Sequence, residues 1–333
     1  MRGRGGRRDG TAQPRTAGPR VTVIGATRNA RMATRLTYAS FRRHAPGGVR
    51  VLVADNGSTD GTLDDLRRLD WLTVVSLDER RRRAREEAAQ ARRTLEKLRR
   101  DLDALVAECP PGQRSVLDGL RTGVEIVVPD DGELCRHATA LDWLAPQVDT
   151  PYFLLLDSDV EFLAPGWLED LVALADAEGL AAVGEFEPGR FPCRDRLATY
   201  LLLLRTDVFR ALGVPFRPLL RFGDPREEER WYARARHHVL DPSAFDGFPS
   251  AAFYDTAAVL FERLQREGLP WRPFPPAVAA KFRHLGQMSW SADAHDDYAG
   301  VELLREHVRV AGEYAGARLR DHYGGGLPGR QPV

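Results

Sequence analysis

Three cysteines in 333 residues, Cys109, Cys135 and Cys193, are too few and too scattered for a disulfide framework, and no C-x-x-C spacing offers a cysteine zinc site. A reducing cytoplasm is the compartment that usage implies. Net charge is also missing, because 48 Lys and Arg balance 48 Asp and Glu. No global field therefore draws the chain to nucleic acid, which is excluded as a partner, and any attraction to an anionic surface must be local. Equally absent is an apolar run of about eighteen residues, so no membrane-spanning helix is expected. The basic start MRGRGGRRDG lacks the apolar stretch of a secretory leader. What is present is a globular composition, 43% hydrophobic and 29% charged, on a chain long enough for one large α/β domain or two smaller ones.

Low-complexity ends frame the chain. Residues 1–19 form an Arg/Gly/Pro-rich basic tail and 324–333 a Gly/Pro-rich one, both expected to be disordered. Between them the pattern predicts a main domain over 20–292 and a C-terminal helix within 293–323. Short β-branched or apolar runs predict strands at 21–25, 49–54, 74–75, 124–128, 152–156, 181–186, 201–204 and 277–282. Helical spacing predicts helices at 31–42, 138–144, 166–177, 207–212, 256–266 and 301–319. This alternation predicts an α/β fold: a Rossmann-like, mixed and mostly parallel sheet with helices on both faces, binding ligands beyond the carboxyl ends of its strands. Residues 79–108 interrupt the rhythm as a long charged helical insertion with a narrow leucine seam, suited either to packing on its own domain or to a homodimer contact. Residues 213–250 show no clear period and read as loops around a site.

Two strand ends carry chemistry. Asp157-Ser158-Asp159 closes the run Tyr152 to Leu156, where ionised carboxylates beside a core strand are costly without a cation or hydrogen bonds. Alternate residues of an extended segment place Asp157 and Asp159 on one side, and hard carboxylate oxygens suit Mg²⁺ or Mn²⁺ on a diphosphate. A turn or helix cap before Pro165 is the competing explanation. The second strand end delivers Asp55 and Asn56 into the glycine-bearing turn DNGSTDGT, where a carboxylate can accept hydrogen bonds from a base N–H or from ribose. An ordinary strand-to-helix connection capped by Thr59 or Asp60 would look the same. Thr27, Arg28 and Asn29 follow Gly25 at the neighbouring strand end.

In order and spacing, VTVIGATRN, VLVADNGSTDGT and FLLLDSDVEF resemble the nucleotide-binding half of family 2 glycosyltransferases with the GT-A fold, and LLLLRTDVFRALG, Tyr254-Asp255-Thr256 and HLGQMSW extend the likeness over roughly 20–290. The resemblance implies a metal-dependent, inverting transfer of a sugar from a nucleoside-diphosphate sugar, a UDP-sugar foremost, to an acceptor hydroxyl. By the same resemblance Thr27 and Asp55 hold the nucleobase with Arg28 and Asn29 nearby, and Asp157 contacts ribose or a metal-bound water. Asp159 and His284 serve the metal, Mn²⁺ or Mg²⁺, and Asp255 is the general base. Asp255 could instead cap the helix after it, and Tyr254 stands where the family usually has Glu. Asp224 and Glu227 to Glu229 are rival bases. His137, ahead of the acidic strand, is a candidate contact for phosphate.

Two other readings keep part of this site. A sugar-nucleotide nucleotidylyltransferase would use the same nucleotide cleft, although Gly25-Ala26-Thr27-Arg28 is a poor version of its Gly-rich loop. A non-catalytic relative would bind nucleotide or carbohydrate and act as an interaction module through the helical insertion. The acceptor expected for the transferase is a carbohydrate, a lipid-linked molecule or a small molecule. Arg80 to Arg83 would permit peripheral contact with the inner face of a membrane.

Overall fold

A computed structural model describes residues 19–78, 97, 100, 136–188, 195–227, 249–286 and 301–324. The expectations for the tail 1–18, the strand at 124–128, nearly all of the 79–108 insertion and the residues after 324 lie outside these.

Eleven strands and eight α-helices fall within the described residues. In chain order they are β1 (Val21–Thr27), α1 (Arg31–His44), β2 (Arg50–Asp55), α2 (Thr62–Arg67), β3 (Thr73–Ser76), α3 (Arg136–Leu144), β4 (Tyr152–Leu156) and β5 (Val160–Phe162). There follow α4 (Trp167–Glu178), β6 (Ala182–Pro188), β7 (Asp195–Arg205), α5 (Thr206–Leu212), β8 (Leu219–Phe222) and β9 (Ala251–Tyr254). The chain closes with α6 (Ala258–Arg266), β10 (Trp271–Pro273), α7 (Pro276–Ala279), β11 (Phe282–His284) and α8 (Val301–Tyr323).

Seven strands make one sheet in the order β10-β6-β7-β4-β1-β2-β3, in which only β7 runs antiparallel to its neighbours. Its central strands are apolar on both faces, which explains runs such as YFLLL and LLLL. Ile24, Leu52, Phe153, Leu155, Leu202 and Leu204 point to one side, where α3 and α6 cover them. Val23, Val51, Val53, Leu154, Leu156, Leu201 and Leu203 point to the other, against α1 and α4. A buried parallel strand needs both layers. The chain leaves β1 towards β2 on one side, and β4 lies on the other, so the connections diverge between β1 and β4 at their carboxyl ends. Ligands of open α/β sheets bind at such a point.

Gly25 sits where these strands come closest. A Cβ built there would lie 2.6 Å from the Leu156 carbonyl oxygen, so any larger residue would push the end of β4 away from β1. Two further sheets are small: β5 pairs antiparallel with β11, and β8 with β9. Helix α8 packs on α1 through Ala315 and Leu319 against Leu36 and Ala39. It is also tied to β5, where fully buried Glu161 accepts hydrogen bonds from Tyr314 Oη and Arg318 Nε, each at 2.6 Å.

Several expectations are corrected. The stretch expected as a strand at 277–282 divides into helix α7 and strand β11, because Pro275 and Pro276 start a helical turn and only the residues after Lys281 extend beside β5. The strand expected at 201–204 is the end of the eleven-residue β7, whose first half is more polar and lacks a continuous apolar run. Residues 213–250 are not all loop, since β8 pairs with β9. No helix among the described residues is long and apolar enough to cross a membrane.

Candidate active site

The acidic triplet lies where β4 leaves the sheet. Asp157 is held by its backbone, its N–H donating to the Tyr200 carbonyl of β7 at 2.8 Å. The chain then turns, and β5 pairs with β11 so that Val160 lies opposite His284 while the Leu285 N–H donates to the Asp159 carbonyl at 2.8 Å. This register places His284 beside Asp159, with Nε2 3.3 Å from Oδ1. Among the described residues the other edge of β5 has no strand neighbour. Helix α1 supplies its partners instead, with Thr37 Oγ1 accepting from the Val160 N–H and Ser40 Oγ from the Phe162 N–H, both at 3.0 Å. Buried backbone donors without partners would be costly, and these two buried hydroxyls meet that requirement.

One ligand atom each from Asp157, Asp159 and His284 lie within 4.8 Å of one another. Two carboxylate oxygens and an imidazole nitrogen form a donor set suited to Mn²⁺, and to Mg²⁺ through the oxygens. The electrostatics agree with that fit. Burial pushes the Asp157 carboxyl up; His137 opposes this, Asp159 adds to it as a like charge, and His284 opposes it again. Burial works against a charged His284, but the hydrogen bond and charge of Asp159, together with Asp157 and Glu185, outweigh it and raise the imidazole. A carboxyl pushed towards neutrality at Asp157 and an imidazole drawn towards a proton at His284 constitute a place where a cation would relieve both. The Tyr200 ring stacks on His284, with centroids 3.9 Å apart and planes 11° from parallel. His137, in the first turn of α3, places Nε2 3.4 Å from Asp157 Oδ1.

Two strands away, Asp55 ends β2 opposite Thr27. It is fully buried, and Oδ1 accepts from the N–H groups of Gly57 and Ser58 at 3.1 and 3.0 Å. Its Oδ2 is buried with no hydrogen-bond partner among the described residues. Thr27 shares a hydroxyl bond with Thr34 at 2.9 Å, and its carbonyl accepts from the Asn56 N–H at 2.9 Å. Asn29, in a left-handed conformation, accepts from the Thr59 N–H at 2.7 Å, while its own N–H donates to Ser58 Oγ at 3.0 Å. Asn29 therefore joins the loops after β1 and β2. Arg28 lies half-buried beside it.

Asp255 precedes α6, away from this cluster in sequence but tied to β7. Its Oδ2 accepts from Arg196 Nη2 at 3.1 Å and its Oδ1 from the Thr256 N–H at 2.6 Å. The side chain remains 49% exposed. Tyr254 faces inward and donates to Glu262 at 2.9 Å, with Arg221 over its ring. Of the rival bases, Asp224 accepts from the Arg226 N–H, and Glu227 is buried and accepts from both the N–H and the hydroxyl of Ser250. Glu228 and Glu229 lie outside the described residues.

Sequence reasoning did not single out Tyr200, Arg196, Glu187, Thr37 or Ser40. Tyr200 was visible only as a polar-tipped ring ahead of four leucines, and the others gave no local signal.

No protein-family model and no curated protein matches the chain. Among solved structures it is similar to S. aureus TarS at 15% identity over 59% of this chain, with a TM-score of 0.34, spanning 30% of the matched TarS chain. It is similar also to the mannosyltransferase PcManGT from Pyrobaculum calidifontis in complex with GDP-Man and Mn²⁺, at 14% identity, covering 92% of this chain and 76% of that one, with a TM-score of 0.41. A third similar structure is the glycosyltransferase GlyE of Streptococcus pneumoniae, at 11% identity over 95% and 67% of the two chains, with a TM-score of 0.34.

Proposed function

We propose that this chain is a metal-dependent, inverting glycosyltransferase of the GT-A type that moves a sugar from a nucleoside-diphosphate sugar, a UDP-sugar foremost, to an acceptor hydroxyl. The observation that carries this reading is the meeting of Asp157, Asp159 and His284 at the end of β4, with the buried Oδ2 of Asp55 two strands away. Two strand spacings are about 10 Å, a gap that a nucleoside can bridge between a base-binding carboxylate and a diphosphate-binding cation.

Each residue then has a task. Asp55 Oδ2 would accept an N–H of the nucleobase, which would satisfy its buried lone pairs, and Thr27 stands opposite it at the end of β1. Asp157, Asp159 and His284 would hold Mn²⁺ or Mg²⁺, which when bound supplies positive charge to the departing diphosphate. His137 stands beside Asp157 to bond a phosphate oxygen or ribose. Asp255 takes the proton of the acceptor hydroxyl as that oxygen bonds to the anomeric carbon, while the bond from that carbon to the diphosphate oxygen breaks and its electron pair leaves with the nucleoside diphosphate. With both its oxygens already held, Asp255 is oriented before the acceptor arrives.

The test is product identity. The chain is incubated with UDP-, GDP-, dTDP- and CDP-sugars and a mixed acceptor panel, with Mn²⁺ or with a chelator. Metal-dependent release of a nucleoside diphosphate, with the anomeric configuration inverted, is the expected result. Release of pyrophosphate would instead assign a nucleotidylyltransferase, and no release from any donor would remove the transferase reading.

A further inference from the structure

Resting on the reading of Asp255 as the base, we propose that Arg196 is its positioning residue, that Glu187 holds Arg196 in place, and that β7 thereby fixes the base relative to the metal-binding cluster. Arg196 and Glu187 are cross-strand partners in the β6–β7 register, and Arg196 Nη2 lies 3.0 Å from Glu187 Oε2 and 3.1 Å from Asp255 Oδ2. Nη1 donates to the Thr256 carbonyl at 3.2 Å, so one guanidinium grips both the side chain of Asp255 and the backbone beside it. The Arg196 side chain is only 12% exposed, whereas Asp255 and Glu187 are 49% and 43% exposed. An arginine withdrawn from water beneath two half-exposed carboxylates acts as an anchor, with its planar fork restricting the carboxylates it meets.

Glu187 meets the same nitrogen of Arg196 that holds Asp255, so the guanidinium is fixed between the two carboxylates. The same strand also carries Tyr200, which stacks on His284. Arg196 and Tyr200 are four residues apart in β7, with Tyr200 inside the stretch where β7 shifts register against β6. One strand thus carries both the arginine that holds Asp255 and the ring that stacks on His284.

A double-mutant cycle tests this, read as hydrolysis of whichever UDP- or GDP-sugar the wild-type chain cleaves fastest with Mn²⁺, water standing in for the acceptor. Arg196→Met is expected to lower kcat about 10- to 100-fold with the donor KM within about twofold of wild type, because only the base is displaced. Arg196→Lys should restore part of that loss, and Glu187→Gln should lower kcat by about threefold. In an Asp255→Asn background, Arg196→Met should cost nothing further. The positioning role is overturned if Asp255→Asn lowers kcat to a small but measurable residual value yet Arg196→Met either leaves kcat unchanged or multiplies the Asp255→Asn loss by its own factor. A fully active Asp255→Asn variant would sink the base assignment itself and the positioning role with it. Should Arg196→Met not fold, Arg196→Gln enters the same cycle with the same expectations.

Discussion

The two ends of the site are built to different standards of rigidity. At the Asp157, Asp159 and His284 cluster, Asp159 is 4% exposed, the paired strands β5 and β11 set the His284 register, Tyr200 covers the imidazole, and hydroxyls from α1 bond the outer edge of β5. At the other end a half-exposed Asp255 is held by one guanidinium and one backbone N–H. A diphosphate on a divalent cation is the same for every donor of its class, so its site can be fixed in the core. An acceptor hydroxyl arrives from solvent, and the group that meets it must remain reachable. On the proposed function, the chain would commit its buried polar structure to the donor and leave the acceptor to more exposed groups.

The comparison breaks most readily where β1 and β4 converge. Gly25→Ala forces a Cβ against the Leu156 carbonyl, and a backbone oxygen cannot step aside as a flexible side chain would. We expect a loss of about 3 kcal/mol in chemical denaturation, together with loss of Mn²⁺ binding, because Asp157 follows directly from that carbonyl. Thr37→Val comes next. It leaves the Val160 N–H buried without its acceptor and should cost about 2 kcal/mol, whereas Thr37→Ser should stay near wild type. Equal stability of the Val and Ser variants would show that α1 does not brace β5.

Tyr200→Leu sharpens the contrast without threatening the fold. Removing the ring beside His284 should weaken Mn²⁺ about tenfold, while Tyr200→Phe, which keeps the stack, should not. The smallest effect concerns the contact between α1 and α2, where Arg31 on α1 hydrogen-bonds Asp65 on α2. That bond holds the Asp65 carboxyl below the usual range, with burial opposing it and the charges of Arg31, Arg35 and Arg68 assisting. A folded-state value below the unfolded one means the contribution is complete above the unfolded value of about 4 and is lost as pH falls through the folded one. Asp65→Asn should therefore melt roughly 2 °C lower than wild type at pH 7, with the gap narrowing below pH 4.

Much of the fold was legible because β1, β2 and β4 are apolar runs ending abruptly in polar residues, and that same abruptness exposed Asp55, Asp157 and Asp159. The three-residue strands β5 and β11 were not legible, since so short a segment has no period and exists only because its partner does. Arg196 was hidden for a related reason: its carboxylate partner Asp255 lies 59 residues away, and nothing local distinguishes an anchoring arginine among so many solvated ones. Tyr254, which departs from the expected Glu, has a plain physical role, filling the core below α6 while its hydroxyl reaches Glu262.

The proposed function rests on a cation held by Asp157, Asp159 and His284. Its most direct test is a Mn²⁺ titration followed by electron paramagnetic resonance, with and without UDP or GDP, on the wild-type chain and on Asp159→Asn. One bound ion in the wild type, tightened by nucleoside diphosphate and weakened about a hundredfold or more in Asp159→Asn, is the predicted result. Equal Mn²⁺ affinity in the two proteins would contradict it and place the metal elsewhere.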